Sequence, residues 1–286
     1  ELTDMLVGAI EDCNKSMVKK LLKMAAAGVF DIQERGSDRK LRPLIVAVVE
    51  IVAGGSAAGL SILKKLLKVE NIDINRMDEF SPTPLCLVSQ RGDVWDVDVV
   101  QTLLTRDDID VNKPQKNGCT PLYLAAKYGH VKIVQILLTK DDIDVNKPQE
   151  NDLTPLYIAA IRGHVKIVHT LLTRDDIDVN RPRTEDGCTP LYIAAYNGHV
   201  KIVQTLLTRN DIDVNKPDKN GWTPLYMASA LGHVQIVQAL LTRDDIDVNK
   251  SQKDGGTPLH FAAQEGHVQI VQTLLTRDDI DVNKPK

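Results

Sequence analysis

The chain has 286 residues, 43% of them hydrophobic and 26% charged, and carries a formal net charge of −4. Such a composition is that of a soluble folded protein. The near balance of 35 basic against 39 acidic residues, with no basic stripe interleaved with aromatics, argues against nucleic acid as a partner.

Residues 1–37 hold two apolar runs at helical spacing, Met5-Leu6 with Ala9-Ile10 and Met17-Val18 with Leu21-Leu22, followed by Asp31-Ile32-Gln33. Glu11, Asp12, Lys15, Lys19 and Lys20 interrupt them, as expected of a terminal unit that faces water on one side. The first residue is Glu1 rather than methionine, which predicts a fragment or a processed product.

In residues 38–78, the run LIVAVVEIVAGGSAAGLSIL over 44–63 has 20 residues with a single charge, long enough to span a bilayer. Glu50, the helix-weakening Gly54-Gly55 and the register of Leu66-Leu67 with Ile72-Asp73-Ile74-Asn75 favour a helical unit that does not enter a membrane. Arg42 to Leu66 covers 24 positions where Thr120 to Leu137 covers 17, which places a seven-residue loop around Gly54 to Gly59. Residues 79–115 repeat the unit from Thr83, with three extra residues around Val94-Trp95-Asp96 expected to form a loop that exposes Trp95.

From Thr120 the repetition is plain. The stretch TPLYLAAKYGHVKIVQILLTKDDIDVNKP returns at Thr154, Thr189, Thr223 and Thr257, and Thr-Pro-Leu starts from Thr83 onward lie 37, 34, 35, 34 and 34 residues apart. A fixed period of this size marks a stacked array whose units touch only their neighbours. The remaining units are 116–149, 150–183, 184–218, 219–252 and 253–286.

Each unit reads as hairpin, helix, helix. Thr120 is placed to cap a helix, with Pro121 at its first position and Gly129 at its left-handed end. Val131, Ile133, Val134, Leu137 and Leu138 form the apolar face of a second helix. Ile143 and Val145 then alternate with Asp142, Asp144 and Asn146, which predicts a short extended segment. Lys147-Pro148 prevents helix, and Gln149 to Asp152 carries turn formers.

Thr-Pro-Leu, Ala-Ala, Gly-His, the paired leucines and Asp-Val-Asn together resemble the ankyrin repeat over essentially the whole chain. The resemblance implies an all-α repeat solenoid of about eight hairpin-helix-helix units, curved and elongated. Two departures stand out. Tyr123, Tyr157, Tyr192 and Tyr226 replace the family histidine kept at His260, and their stacked rings are expected to be structural, each hydroxyl reaching toward the next repeat. TRDDIDVN replaces Gly-Ala-Asp-Val-Asn, so Asp107 or Asn210 is expected to take the left-handed position of the missing glycine.

Nothing in the sequence assembles a catalytic or metal site. His130, His164, His199, His233 and His267 share one column after the helix-ending glycine, which predicts bonds to backbone groups between repeats. His169 stands in a column otherwise held by glutamine and is expected in solvent. Cys13, Cys86, Cys119 and Cys188 lack the paired spacing of zinc sites. Cys119 and Cys188, two repeats apart, are too distant for a disulfide at roughly 10 Å per helix layer. Free thiols point to a reducing, cytoplasmic setting. Asp108 to Asn112 opens like a calcium loop, but Lys113 and Cys119 occupy the positions of its glycine and bidentate glutamate. The chain therefore reads as non-catalytic, with no cofactor and no metal.

Binding is expected where repeats vary without structural cost. The pairs before Gly-His are Gln90/Arg91, Lys127/Tyr128, Ile161/Arg162, Tyr196/Asn197, Ala230/Leu231 and Gln264/Glu265. The column before Thr-Pro holds Pro82, Cys119, Leu153, Cys188, Trp222 and Gly256. By resemblance these columns line the concave face that hairpin tips and first helices share, so Arg91, Lys127, Tyr128, Leu153, Ile161, Arg162, Tyr196, Asn197, Trp222 and Leu231 are the candidate protein-binding residues. Some 30 positions of this kind match the ~20–30 residues per side of a standard interface, and Tyr196 and Trp222 are of the types that dominate binding energy. The alternative is a structural or regulatory segment of a larger protein, such as a channel or enzyme, packing within its own assembly. The second helix from Val268 to Leu275 keeps the interior pattern with no polar cap, which predicts that the array continues beyond Lys286. The resemblance also makes Asn112, Asn146, Asn180, Asn215, Asn249 and Asn283 candidate sites of asparaginyl hydroxylation.

Overall fold

A computed structural model describes residues 57–69, 72–77 and 82–284, with Met5, Gly8, Ala9, Asp12, Ser16, Val18, Lys19 and Lys20. The repeat expected at Arg42 to Leu44, Cys13 and most of the apolar run 44–63 lie outside the described residues. The chain divides into two compact units, Glu1–Asp144 and Val145–Lys286. All regular structure among the described residues is helical.

The first unit contains α1 (Ala57–Leu66), α2 (Pro84–Arg91), α3 (Val94–Leu103), α4 (Pro121–Tyr128) and α5 (Val131–Leu137). Helices α2 and α4 pack side by side as one layer, and α1, α3 and α5 form the other. The second unit repeats the plan with α6 (Pro155–Arg162), α7 (Val165–Leu171), α8 (Pro190–Tyr196), α9 (Val200–Leu206), α10 (Pro224–Ala230), α11 (Val234–Leu240), α12 (Pro258–Gln264) and α13 (Val268–Leu274). There α6, α8, α10 and α12 are the first helices and α7, α9, α11 and α13 the second, each layer packed neighbour to neighbour.

The first helices begin and end as the Thr-Pro and Gly-His signals require. Thr120, Thr154, Thr189 and Thr223 accept from the backbone N–H three residues on, at 3.1 Å in each case, a cap that contributes about 1 kcal/mol. Gly92, Gly129 and Gly163 terminate α2, α4 and α6 in the left-handed conformation. The glycine serves a second purpose at Gly92, where a Cβ would stand 2.0 Å from the His130 ring.

Two expectations about the second helices and hairpins are corrected. Asp107 and Asn210 are not left-handed; the second helices end on right-handed leucines such as Leu104 and Leu207. No glycine is needed because the threonine of Thr-Arg-Asp-Asp turns its hydroxyl back to the last turn. Thr105, Thr139, Thr173, Thr208, Thr242 and Thr276 each donate at 2.7 Å to the carbonyl three residues earlier, satisfying acceptors that a helix end otherwise leaves open.

The segment after it forms no strand, although its side chains alternate as expected. Ile177 and Val179 are buried, while Asp176 and Asp178 face water. The backbone turns because the asparagine of each Asp-Val-Asn bridges repeats: Asn180 Nδ2 donates to the Asp211 carbonyl at 2.6 Å, and its Oδ1 accepts from the Asp213 N–H at 2.8 Å. Asn75, Asn112, Asn146, Asn215 and Asn249 make the same pair of bonds.

The two lengthened regions also become helix. Val94–Leu103 is ten residues long against seven for Val131–Leu137, so the extra residues of this repeat extend the helix at its start and leave Trp95 half-buried rather than exposed. Of the lengthening at Gly54 to Gly59, Ala57 onward opens α1; the rest lies outside the described residues.

Candidate functional site

In the second unit each hairpin is closed by a backbone bond that fixes the residue before Thr-Pro. Gln149 N–H donates to the Leu153 carbonyl at 3.1 Å, Arg183 to Cys188 at 2.9 Å, Asp218 to Trp222 at 2.9 Å and Gln252 to Gly256 at 3.0 Å. Asp218, itself buried, accepts from the N–H groups of Asn220 and Trp222 at 2.9 and 2.8 Å. Neighbouring tips are tied by Lys219 N–H to the Asp186 carbonyl at 2.8 Å and Lys253 N–H to the Asn220 carbonyl at 3.3 Å.

Beneath these tips, Tyr157, Cys188, Tyr192, Tyr226 and Met227 form a buried cluster. Leu153, Ile161, Ile193, Trp222, Ala230 and Phe261 pack on it and remain partly open. The Trp222 ring lies parallel to Tyr226, centroids 5.9 Å apart, and Tyr226 meets Phe261 at 4.8 Å. Tyr196 and Leu231 stand further out, 46% and 43% exposed, and Arg162 and Asn197 are exposed beside them. Seven candidate residues thus belong to one set of neighbouring repeats.

The histidine column fixes the backbone of these variable positions. His199 Nε2 bonds the Ile161 carbonyl at 3.1 Å, His233 the Tyr196 carbonyl at 3.2 Å and His267 the Ala230 carbonyl at 3.1 Å. Each bond is to a main-chain oxygen, so the side chain at that position is free to change. His169 is exposed, as expected.

Arg91, Lys127 and Tyr128 belong to the first unit. Arg91 pairs with Asp93 at 3.2 Å. Tyr128 is 44% exposed, with Lys127 Nζ 5.2 Å from its ring centre and the His130 ring stacked at 6.2 Å. His130 in turn bonds the Gln90 carbonyl at 3.1 Å.

Ile193 and Phe261 support the surface but escape a search for variable exposed columns. Their signal was the apolar column one residue after the tyrosine, which runs Leu124, Ile158, Ile193, Met227, Phe261. Tyr157, Tyr192 and Tyr226 are structural through their rings, which fill the cluster, and not through their hydroxyls, which make no hydrogen bond among the described residues.

Burial keeps the reactive groups neutral. It pushes the Cys86 and Cys188 thiols and the Tyr226 hydroxyl up to about 12, and raises Tyr157 and Tyr192 above the ordinary tyrosine value. Thiols so placed are poor nucleophiles at neutral pH. Among the described residues no cluster of three His, Cys, Asp or Glu side chains suits a metal ion, and no helix is long and apolar enough to cross a membrane.

A comparison with curated proteins gave no match. The family model for ankyrin repeats (3 copies) matches residues 51–149, 143–218 and 209–286. With the capped helix pairs and the Asn-bridged turns recurring through the same residues, the chain belongs to the ankyrin-repeat family, whose repeats generally mediate protein–protein interaction.

Proposed function

We propose that this chain is a non-catalytic protein-binding module that engages a partner protein through its first helices and hairpin tips, the face that is concave in the family. The observation that carries the reading is that the exposed Tyr196 and Leu231 stand in the same set of neighbouring repeats as the half-buried Leu153, Ile161, Trp222 and Phe261. Large aromatic and aliphatic groups held on a fixed backbone, with exposed polar neighbours in Arg162 and Asn197, have the anatomy of an interface centre and rim.

The test is capture from source lysate by the full chain and by a Tyr196→Ser/Leu231→Ser variant. These two side chains are open, so the variant keeps its fold by circular dichroism, whereas removing Trp222 would also disturb Tyr226. A protein retained only by the unaltered chain is expected; identical captured sets, or none, would remove the proposal. The buried Cys86 and Cys188, which form no disulfide, support assigning the module to a reducing intracellular compartment, and a native protein recovered with these thiols oxidised would contradict that.

A further inference from the structure

We propose that Asn220 is a modification site, where spontaneous deamidation sets a carboxylate against Asp218 and loosens the hairpin tip that holds Trp222. The sequence has the Asn-Gly pairs Asn117-Gly118, Asn197-Gly198 and Asn220-Gly221. In such a pair the deprotonated backbone nitrogen of the glycine, unhindered by a side chain, attacks Cγ of the asparagine. The bond from Cγ to the side-chain nitrogen breaks, ammonia leaves and a cyclic imide closes. Water then opens either of the ring's C–N bonds, leaving aspartate or isoaspartate. Water is consumed and ammonia released, with no oxidation.

The three pairs are not held alike. Asn197 belongs to the end of α8: its N–H donates to the Ile193 carbonyl at 3.0 Å, and His199 N–H, just past Gly198, donates to Ala194 at 2.9 Å. Turning the Gly198 nitrogen toward Cγ breaks that helix end. Asn117 and Asn220 are exposed in hairpin tips, in turns closed by Gly118 N–H to the Gln115 carbonyl at 2.9 Å and Gly221 N–H to Asp218 at 3.1 Å. The fold also fixes the reactive glycine. Gly221 has φ +91°, and a Cβ there would stand 3.2 Å from Gln252 Cα and from the Lys253 nitrogen.

The two tips differ in what deamidation does. The Asn117 side chain accepts, its Oδ1 taking the Cys119 N–H at 3.2 Å, and a carboxylate accepts as well as an amide. The Asn220 side chain donates, Nδ2 to Asp218 Oδ2 at 3.2 Å. Deamidation there removes the donor and sets oxygen against oxygen. Asp218 is buried, and its Oδ1 holds the N–H groups of Asn220 and Trp222 at 2.9 and 2.8 Å. The first and third tip positions read Gln115/Asn117, Gln149/Asn151, Asp218/Asn220 and Gln252/Asp254, so a carboxylate stands at one or the other and never at both. Isoaspartate would in addition insert a carbon into the backbone beside the Asn220 carbonyl, which accepts from Lys253 N–H of the next tip at 3.3 Å.

That this tip bears on partner binding rests on the function proposed above; the following measurements use no partner, so the two readings fail separately. The full chain, held in mildly alkaline buffer and then digested, is read by mass spectrometry with electron-transfer fragmentation, which separates aspartate from isoaspartate. Asn117 and Asn220 are expected to convert while Asn197 stays intact. In an Asn220→Asp chain, hydrogen exchange at the Trp222 amide is expected to rise by about tenfold, as for a lost hydrogen bond to a charged group. Asn117→Asp leaves the Cys119 amide within about twofold. The exchanged pair Asp218→Asn/Asn220→Asp restores a donor opposite an acceptor and returns the Trp222 amide to within about threefold of the unaltered chain. Conversion of Asn220 no faster than that of Asn197, an unchanged Trp222 amide in Asn220→Asp, or no recovery in the exchanged pair would overturn the inference.

Discussion

Gly92→Ala should destabilise the first unit by about 3 kcal/mol, and about two thirds of that loss should disappear when His130 is absent. Gly92 has φ +69°, and an added Cβ would lie 2.0, 2.1 and 2.2 Å from Nδ1, Cε1 and Cγ of His130. Left-handed backbone costs an alanine about 1 kcal/mol. The overlap cannot be absorbed, so the ring must leave, losing its bond to the Gln90 carbonyl at 3.1 Å, worth about 1 kcal/mol, and a similar amount of packing. With His130→Ala in place only the backbone strain remains, so the double-mutant cycle isolates the collision. Urea unfolding followed by circular dichroism gives the global value. Hydrogen exchange of the α2 and α3 amides reports the local one, since a repeat array can open in parts. Equal losses in the two backgrounds would show that the histidine does not determine why glycine stands there.

Ser229→Ala should raise stability by about 1 kcal/mol in thermal or urea unfolding, because the Ser229 hydroxyl is buried with no partner and the same column holds Ala126, Ala160 and Ala195. Asp152→Gly should add about 0.5 kcal/mol by the same measurement, since Asp152 sits at φ +59° where other hairpins have Gly118, Gly221 and Gly255. Asp96 should make the first unit less stable as pH rises. Burial first, with repulsion from Asp93, raises its carboxyl above the ordinary value despite the bond from the Asp93 N–H at 2.7 Å. The folded state thus holds the proton more tightly than the unfolded state: the contribution is complete below about pH 3.9 and is lost as pH climbs through the raised value. Asp96→Asn, whose Oδ1 can still accept from Asp93, should abolish that slope and be the more stable protein at neutral pH.

The sequence made the helix pairs legible because each boundary rests on a local signal. Thr-Pro starts a helix and Gly-His ends it, and both act within four residues. What it left unread depends on the neighbouring repeat. That Asn180 bridges to Asp211 and Asp213, or that Thr173 caps its own helix so that no glycine need follow, is a matter of hydrogen-bond partners, and spacing alone does not choose between a turn and an extended segment. The three extra residues near Trp95 were assigned to a loop for a similar reason. An insertion before an amphipathic helix can lengthen either the loop or the helix, and Asp96, accepting from the Asp93 N–H, favours the helix. Variable columns were visible in the sequence, but not which of their side chains share a cluster.

The bonds between repeats run largely to main-chain atoms, and this is what allows the surface to vary. His233 recognises the carbonyl of Tyr196, His267 that of Ala230, and Asn180 reads a carbonyl and an N–H of the next turn. None of these contacts depends on the identity of the side chain at the recognised position. Tyr196 can therefore be replaced by the Ile161 or Ala230 of its neighbours with the same histidine bond in place. The tyrosine column differs: Tyr157, Tyr192 and Tyr226 are buried together in one cluster, so a change there must be matched by another. In the last repeat His260 takes the tyrosine position and turns to the cap, its Nδ1 2.9 Å from the Thr257 hydroxyl, and it is Phe261, one residue on, whose ring packs onto Tyr226.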